Sequence, residues 1–209
     1  MKTDDVFEGL TDELIHVGEM LRGRRDFIKA GMITGAASAF AMMAANGIAL
    51  GADKKKGGDK KGGGGGGDVA LLNTALGLEY QAIYAYTVAA GTGLLSDGVK
   101  PVALLFQSQH AEHAAHEATT IKKLGGTPVA KQDKYDLGDL SGIKSEADLL
   151  GFALGLEAQA ANTYLSVTGK FTDTALIPVV AGIGANEAQH AALLRYVLKQ
   201  NPVPKAVVG

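Results

Sequence analysis

Apolar residues recur at helical spacing in four long segments in the second part of the chain. The segments cover residues 69–90, 99–124, 145–168 and 173–200. Alternation of apolar and polar residues at a period of two, which is typical of a half-buried strand, is nearly absent. The pattern therefore predicts an all-α domain over residues 69–209.

The lengths of the connections predict how these helices are arranged. Two short connections, residues 91–100 and 169–172, make the first and second helices antiparallel neighbours, and likewise the third and fourth. A longer crossover, residues 125–144, joins the two pairs. Two antiparallel hairpins joined by one crossover form a standard four-helix-bundle topology. Ser145 and Asp148 resemble a capping box at the start of the third helix.

The two hairpins are copies of one another. The stretch ALGLEYQA at residues 75–82 matches ALGLEAQA at residues 153–160, and Tyr86 matches Tyr164 at the same offset of 78 residues. The second helices match at an offset of 77, and their pairs include Pro101 with Pro178, His110 with Glu187, and His113 with His190. Matches at a near-constant offset predict a bundle with approximate two-fold symmetry.

Each helix carries side chains that can bind a metal within a largely apolar stretch. These residues are Glu79, His110 and His113, Glu157, and Glu187 and His190. Residues three apart lie on one face of a helix, so the two members of each pair point into one groove. Leucines flank the lone glutamates Glu79 and Glu157, which predicts that both carboxylates face the core. A buried carboxylate needs a cation or a strong donor. A metal site shared by four helices would satisfy the whole set.

This arrangement resembles the di-metal carboxylate site of ferritin-like bundles, in which two helices give a Glu and two give Glu-x-x-His. Over residues 69–200 the chain is identified as a member of the bacterial ferritin-like domain proteins of the twin-arginine-exported type. The resemblance implies iron or manganese as the cofactor, and oxidation of ferrous iron by dioxygen or peroxide, or peroxide disposal, as the reaction. It implies terminal carboxylates from Glu79 and Glu157, a bridging Glu187, and one imidazole for each metal from His113 and His190.

His110 departs from the family pattern, which has at this position a Glu that commonly bridges two metals. Three outcomes follow for the site, with His110 kept as a candidate ligand. The site holds two iron or manganese ions, or one ion with zinc or copper tolerated as readily as iron, or no metal, with Glu–His hydrogen bonds filling the core. Glu117, four residues after His113, is a candidate to replace the missing carboxylate.

Other polar or small residues near the candidate ligands have simpler interpretations. Glu112 projects away from His110 around the helix and is predicted to be solvated. His116 is predicted to lie at the surface or the rim. Gly77 and Gly155, two residues before the lone glutamates, are predicted to allow close helix approach.

Tyr86 and Tyr164 lie two helical turns beyond the lone glutamates, on the same stripe of each helix. Tyrosines at such a spacing are predicted to be core residues with a satisfied hydroxyl group. The alternative is a hydrogen-bond donor or an electron relay beside the metal ligands.

The first part of the chain predicts export. Residues 30–52 carry no charge, and the stretch GRRDFIK at residues 23–29 precedes them. Paired arginines before a Gly/Ala-rich apolar run resemble a twin-arginine signal. Residues 1–52 are predicted to be this signal, either cleaved or retained as a membrane tether through residues 30–52, because about 20 apolar residues can span a bilayer. Residues 53–68, rich in Lys and Gly, predict a linker.

Composition excludes several kinds of function. The chain has no Cys, which rules out a disulfide scaffold, a thiolate zinc site and an iron–sulfur cluster. The net charge of -2 leaves no basic surface to hold nucleic acid through its phosphates.

Two functions remain. The first is an exported metal-binding bundle of the periplasm or cell envelope, with an oxidase or peroxide-handling activity. The alternative is a non-catalytic, desiccation-type or other stress-related envelope bundle with a degenerate metal site. The tethering leader and the Gly-rich linker argue against a storage cage. Whether two bundles pair as a homodimer stays open.

Overall fold

A computed structural model gives the fold and describes residues 65–204. The helices are α1 (Gly65–Gly91), α2 (Lys100–Lys123), α3 (Glu146–Thr168) and α4 (Ile177–Val197), with a single 3-10 turn, Thr174–Leu176, before α4. No strand occurs in this part of the chain. The predicted all-α four-helix bundle is confirmed.

The helices pair as two hairpins. Helix α1 packs along α2, α3 packs along α4, and α1 also contacts α3. The predicted cap of α3 is confirmed, because the Ser145 side chain accepts a hydrogen bond from the amide of Asp148. Pro101 and Pro178 lie in the first turns of α2 and α4, where the N–H that proline lacks would have no helical partner. The repeated prolines therefore mark equivalent helix starts in the two hairpins.

The core consists of two apolar clusters separated along the bundle. The first apolar cluster contains Leu72, Ala75, Leu76, Ala114, Ile121, Tyr164, Val167, Phe171, Val180 and Ile183. The second apolar cluster contains Tyr86, Ala103, Phe106, Leu150, Ala153 and Leu194. In every helix the predicted ligands lie between members of the two clusters, as Glu79 does between Leu76 and Tyr86. The polar residues therefore form a layer with apolar packing on both sides.

The crossover between the hairpins has no regular secondary structure but is attached to α1. Tyr135 and Leu137 are buried against this helix. The Asn73 side chain donates to the carbonyl of Thr127 at 3.1 Å and accepts from the amide of Val129 at 2.6 Å. These contacts give the Thr127 carbonyl and the Val129 amide the hydrogen-bond partners that the crossover, without regular secondary structure, does not provide.

Helix α1 begins at Gly65, within the stretch predicted as a linker. Asp68 is only 1% exposed and accepts hydrogen bonds from the amides of Thr172 and Asp173, each at 2.8 Å, and from the Thr172 hydroxyl at 2.9 Å. Burial raises the pKa of Asp68, but these hydrogen bonds outweigh it and lower the pKa. The carboxylate thereby ties the first turn of α1 to the α3–α4 connection.

The predicted signal, residues 1–52, lies outside the described residues, as does the predicted linker up to residue 64. Export and the membrane tether therefore stay predictions. Between residues 65 and 204, no helix combines the length and the apolar character needed to cross a bilayer.

Close helix approach occurs at Gly184 of α4. A Cβ atom added there would lie 2.8 Å from the Cβ of Tyr164 on α3. At Gly155, in contrast, an added Cβ would meet nothing within 4 Å, so the prediction of close approach at this glycine is wrong. Helices α3 and α4 are therefore in close contact at Gly184, where the absence of a side chain leaves room for Tyr164.

Replacing Gly184 by Ala should therefore destabilise the bundle, because overpacking costs roughly 1–3 kcal/mol and outweighs the higher helix propensity of Ala. Gly182→Ala on the same helix is the matched control, since its added Cβ meets nothing within 4 Å. It should stabilise by about 0.5–1 kcal/mol. Urea unfolding of both variants measures the difference. Equal stabilities would contradict the close contact.

Candidate metal centre

The six predicted ligands converge in one layer of the bundle, here called the Glu/His layer. Its members are Glu79, His110, His113, Glu157, Glu187 and His190. Five of them are at most 2% exposed, and the side chain of His113 is 13% exposed. Four helices each contribute at least one member, so the site forms only when both hairpins pack together.

Four residues form the first ligand group: Glu79, His110, His113 and Glu187. The Nδ1 atom of His110 lies 2.7 Å from Oε2 of Glu79. The Nδ1 atom of His113 lies 2.9 Å from Oε1 of Glu187 and 3.5 Å from Oε2 of Glu79. One ligand atom from each residue lies within 4.8 Å of the others, which is close enough to surround one ion.

The second ligand group contains His110, Glu157, Glu187 and His190. The Nε2 atom of His110 lies 3.2 Å from Oε1 of Glu157. The Nδ1 atom of His190 lies 3.2 Å from Oε2 of Glu157 and 3.3 Å from Oε2 of Glu187. This group satisfies the same 4.8 Å spacing.

His110 and Glu187 belong to both groups. His110 directs Nδ1 towards Glu79 and Nε2 towards Glu157. Glu187 directs Oε1 towards His113 and Oε2 towards His190. The His that departs from the family pattern therefore lies in the middle of the layer, with one nitrogen for each half. Each ligand group could hold a metal ion, and the two groups share these two residues.

Glu187 has the environment of a carboxylate that awaits a cation. Its side chain is fully buried, and neither carboxylate oxygen has an aligned hydrogen bond, although imidazole nitrogens approach both. The Nδ1 atom of His113 also lacks an aligned partner. Leaving such buried atoms unsatisfied costs about 1–3 kcal/mol each, and more for a charged group. Carboxylate and imidazole ligands suit divalent iron and manganese, so the residues present fit such ions.

Without a metal, protons on the imidazoles balance the carboxylates. Burial lowers the pKa of His113, but Glu187 and Glu79 outweigh it and raise the pKa to about 9. The pKa values of His110 and His190 are raised as well, since their neighbouring carboxylates outweigh burial. The metal-free layer therefore favours protonated imidazoles beside the carboxylates, and metal binding competes with these protons.

Two tyrosines connect the hairpins at this layer. The Tyr86 hydroxyl of α1 donates to Glu157 of α3, and the Tyr164 hydroxyl of α3 donates to Glu79 of α1. Burial, together with the carboxylates, raises the pKa of both tyrosines well above 10, so the hydroxyls keep their protons. Both tyrosines are core residues with satisfied hydroxyls, as predicted, and both are donors to candidate ligands.

Glu117 belongs to neither ligand group. It is 1% exposed, and its Oε1 lies 2.8 Å from the Tyr164 hydroxyl. Burial and the Glu79 carboxylate raise its pKa well above the ordinary range. Its position outside both ligand groups does not support the idea that it replaces the missing bridge.

The residues next to the ligands on α2 are either exposed or in contact with the layer. Glu112 and His116 are exposed, as predicted. Sequence reasoning missed Gln109, whose Oε1 lies 2.6 Å from Nε2 of His190. An amide oxygen accepts, so Nε2 carries the hydrogen and Nδ1 faces the carboxylates. The corresponding residue of the repeat is Asn186, so the duplication offered no clear signal for this contact.

Comparison with known proteins identifies the family of this chain. The family model for the ferritin-like domain matches residues 67–200. The chain belongs to the ferritin-like domain family. No match is found among curated proteins.

Two solved structures are similar to this chain. A conserved hypothetical protein, rv2844, from Mycobacterium tuberculosis has 24% identity and a TM-score of 0.58, and the match covers 70% of this chain and all of that one. This similarity concerns the fold alone. Ferritin-like, diiron-carboxylate proteins from Bacillus anthracis str. Ames have 25% identity and a TM-score of 0.54, over 62% of this chain and 94% of that one.

The charged pairs make the metal-free protein sensitive to pH. The pKa of His113 rises from 6.5 to about 9 on folding. A raised pKa stabilises the fold fully below 6.5, and this contribution is lost as the pH rises through about 9. The Tm of the metal-free protein should therefore fall between these pH values. The fall should be smaller for His113→Gln and unchanged for His116→Gln, which alters an exposed histidine. A Tm independent of pH would contradict the charged pairs.

Proposed function

We propose that this protein binds iron or manganese in the Glu/His layer, at two positions, and oxidises ferrous iron with dioxygen or peroxide. The observation that carries the proposal is the pair of overlapping ligand groups, which share a buried Glu187 whose oxygens lack aligned hydrogen bonds. The Bacillus anthracis relative is described as a diiron-carboxylate protein, which supports iron as the first choice. Manganese accepts the same ligands.

The ligands divide between the two positions by proximity. Glu79 and His113 would serve the first position, and Glu157 and His190 would serve the second. Glu187 directs one carboxylate oxygen towards each group, so it would be the ligand available to both positions. His110 would serve one position only, because a neutral imidazole has a single free lone pair, so it does not replace a bridging Glu.

The bound metal would supply one-electron redox chemistry, and the protein's residues would control charge and protons around it. Tyr86 and Tyr164 hold the Glu157 and Glu79 carboxylates by hydrogen bonds. Glu117 lies one hydrogen bond from Tyr164. In the peroxide reaction, the O–O bond breaks as peroxide accepts one electron from each of two ferrous ions and two protons, and two water molecules leave.

A specific observation also favours the non-catalytic alternative. His110 and Glu79 lie 2.7 Å apart, and His190 and Glu157 lie 3.2 Å apart, so much of the layer can satisfy itself without a metal. In that case the bundle would be a structural component of the envelope. Metal would then neither bind stoichiometrically nor stabilise the protein.

Replacing Glu187 by Gln separates these functions. It removes the charge shared by both ligand groups with little change of shape. We expect ferrous or manganous ion to raise the Tm of the wild type, because a ligand bound only to the folded state stabilises it. The metal affinity of the variant should fall at least about 10-fold, because mutation of a residue that only supports a metal ligand already lowers the affinity by this much. It should also lose ferrous oxidation, followed by the absorbance of the ferric product.

Glu112→Gln is the matched control, because it removes an exposed carboxylate on α2. It should behave as the wild type in metal affinity and oxidation rate. Metal binding without oxidation would reduce the proposal to a metal-binding protein. A wild type whose Tm and metal content do not respond to either ion would support the alternative.

We also propose that the protein acts in the periplasm or cell envelope after twin-arginine export. The support is the sequence of residues 23–52, which lies outside the described residues. This route carries folded proteins, so metal can be loaded before export. Fractionation of cells producing Arg25→Lys, together with Arg24→Lys, should show the protein retained in the cytoplasm.

A further inference from the structure

A partly enclosed cavity of about 70 Å³ lies beside the Glu/His layer. It is formed within the second apolar cluster, where α1 and α4 end and α2 and α3 begin. Among the side chains that line it are Tyr86, Phe106, Ala153 and Leu194, and every lining residue apart from the hydroxyl-bearing Tyr86 is apolar. Leu193 at its rim is 39% exposed, so the cavity reaches the surface.

The inner wall of this cavity touches the candidate ligands. The Phe106 ring stacks on the His190 imidazole with 3.9 Å between centroids. The Tyr86 hydroxyl donates to Glu157. A molecule in the cavity is thus separated from the second ligand group by one layer of side chains.

The cavity breaks the two-fold symmetry of the repeat. At the offset of 77 residues, Leu194 corresponds to Glu117, and Leu193 corresponds to His116. Leu194 lines the cavity beside Tyr86, whereas Glu117 contacts Tyr164, the counterpart of Tyr86. One side of the layer is therefore faced by a buried acid and the other by an apolar cavity.

We propose that this cavity binds a small apolar molecule and that its ligand in the cell is dioxygen. An engineered apolar cavity of about 150 Å³ binds benzene or xenon, so a cavity about half that size suits a diatomic gas. Its apolar wall offers almost no hydrogen bonds to peroxide or water, which disfavours both relative to dioxygen. The role of dioxygen as the oxidant rests on the proposed function, whereas the binding of a small apolar molecule in the cavity does not. Two ferrous ions at the two positions and two protons convert dioxygen to hydrogen peroxide. Two further ferrous ions and two protons then convert this peroxide to two water molecules.

Xenon binding to the metal-free protein tests the cavity independently of metal chemistry. Crystals of the wild type under xenon pressure should show xenon beside Tyr86 and Phe106. Ala153→Leu and Val102→Phe each add carbon atoms at the cavity and should abolish this binding. Ala111→Leu, at an exposed position of α2, is the matched control and should retain it. Absence of xenon from the wild-type cavity, or its persistence in both filled variants, would overturn the proposal.

The oxidation rates with the two oxidants test the chemical part. In the filled variants, the dioxygen reaction should slow at least about 10-fold more than the peroxide reaction, because only dioxygen is expected to occupy the apolar cavity. Equal slowing of both reactions would overturn dioxygen as the ligand. If the protein binds no metal, the proposed function fails, whereas the xenon result still decides whether the cavity is a binding site.

Discussion

Burial of three carboxylates and three imidazoles in one layer is the constraint on which the rest of the structure depends. An isolated buried charge would destabilise the bundle by several kcal/mol, so each group must have partners from other helices. The imidazoles provide these partners in the metal-free protein, and His110 contacts Glu79 and Glu157 from opposite hairpins. Tyr86 and Tyr164 add one donor to each lone glutamate. The same convergence leaves Glu187 without aligned donors, and this residue is the best argument for a cation.

The internal repeat explains the symmetry of the layer, and the differences between its two copies make the two sides of the layer unlike. The duplicated glutamates and tyrosines make equivalent contacts across the hairpins. His110 and Glu187 are equivalent in the repeat but differ in chemistry, and both belong to the two ligand groups. Glu117 and Leu194 are likewise equivalent, and they make one side of the layer acidic and the other apolar.

The fold and the members of the site could be predicted because both depend on spacing along a helix. Helical periodicity and connection length predict two hairpins, and Glu79 with its counterparts must share a layer once the repeat is recognised. Contacts that depend on side-chain length and rotamer could not be predicted in this way. Gln109 contacts His190, although the corresponding residue of the repeat is an Asn and gave no signal for this contact. Gly184 leaves room for Tyr164, whereas the sequence predicted close helix approach at Gly155. Asp68 lies in a Gly-rich stretch that predicts a linker, yet its carboxylate is buried and accepts three hydrogen bonds.

Elemental analysis of protein purified without chelator or nickel tests the central claim most directly. After anaerobic exposure to ferrous or manganous ion and removal of excess metal, we expect about two ions per chain, one for each ligand group. One ion per chain would mean that the two groups share a single metal. No bound metal under either condition would contradict a metal centre in the Glu/His layer and leave a bundle held together by Glu–His pairs.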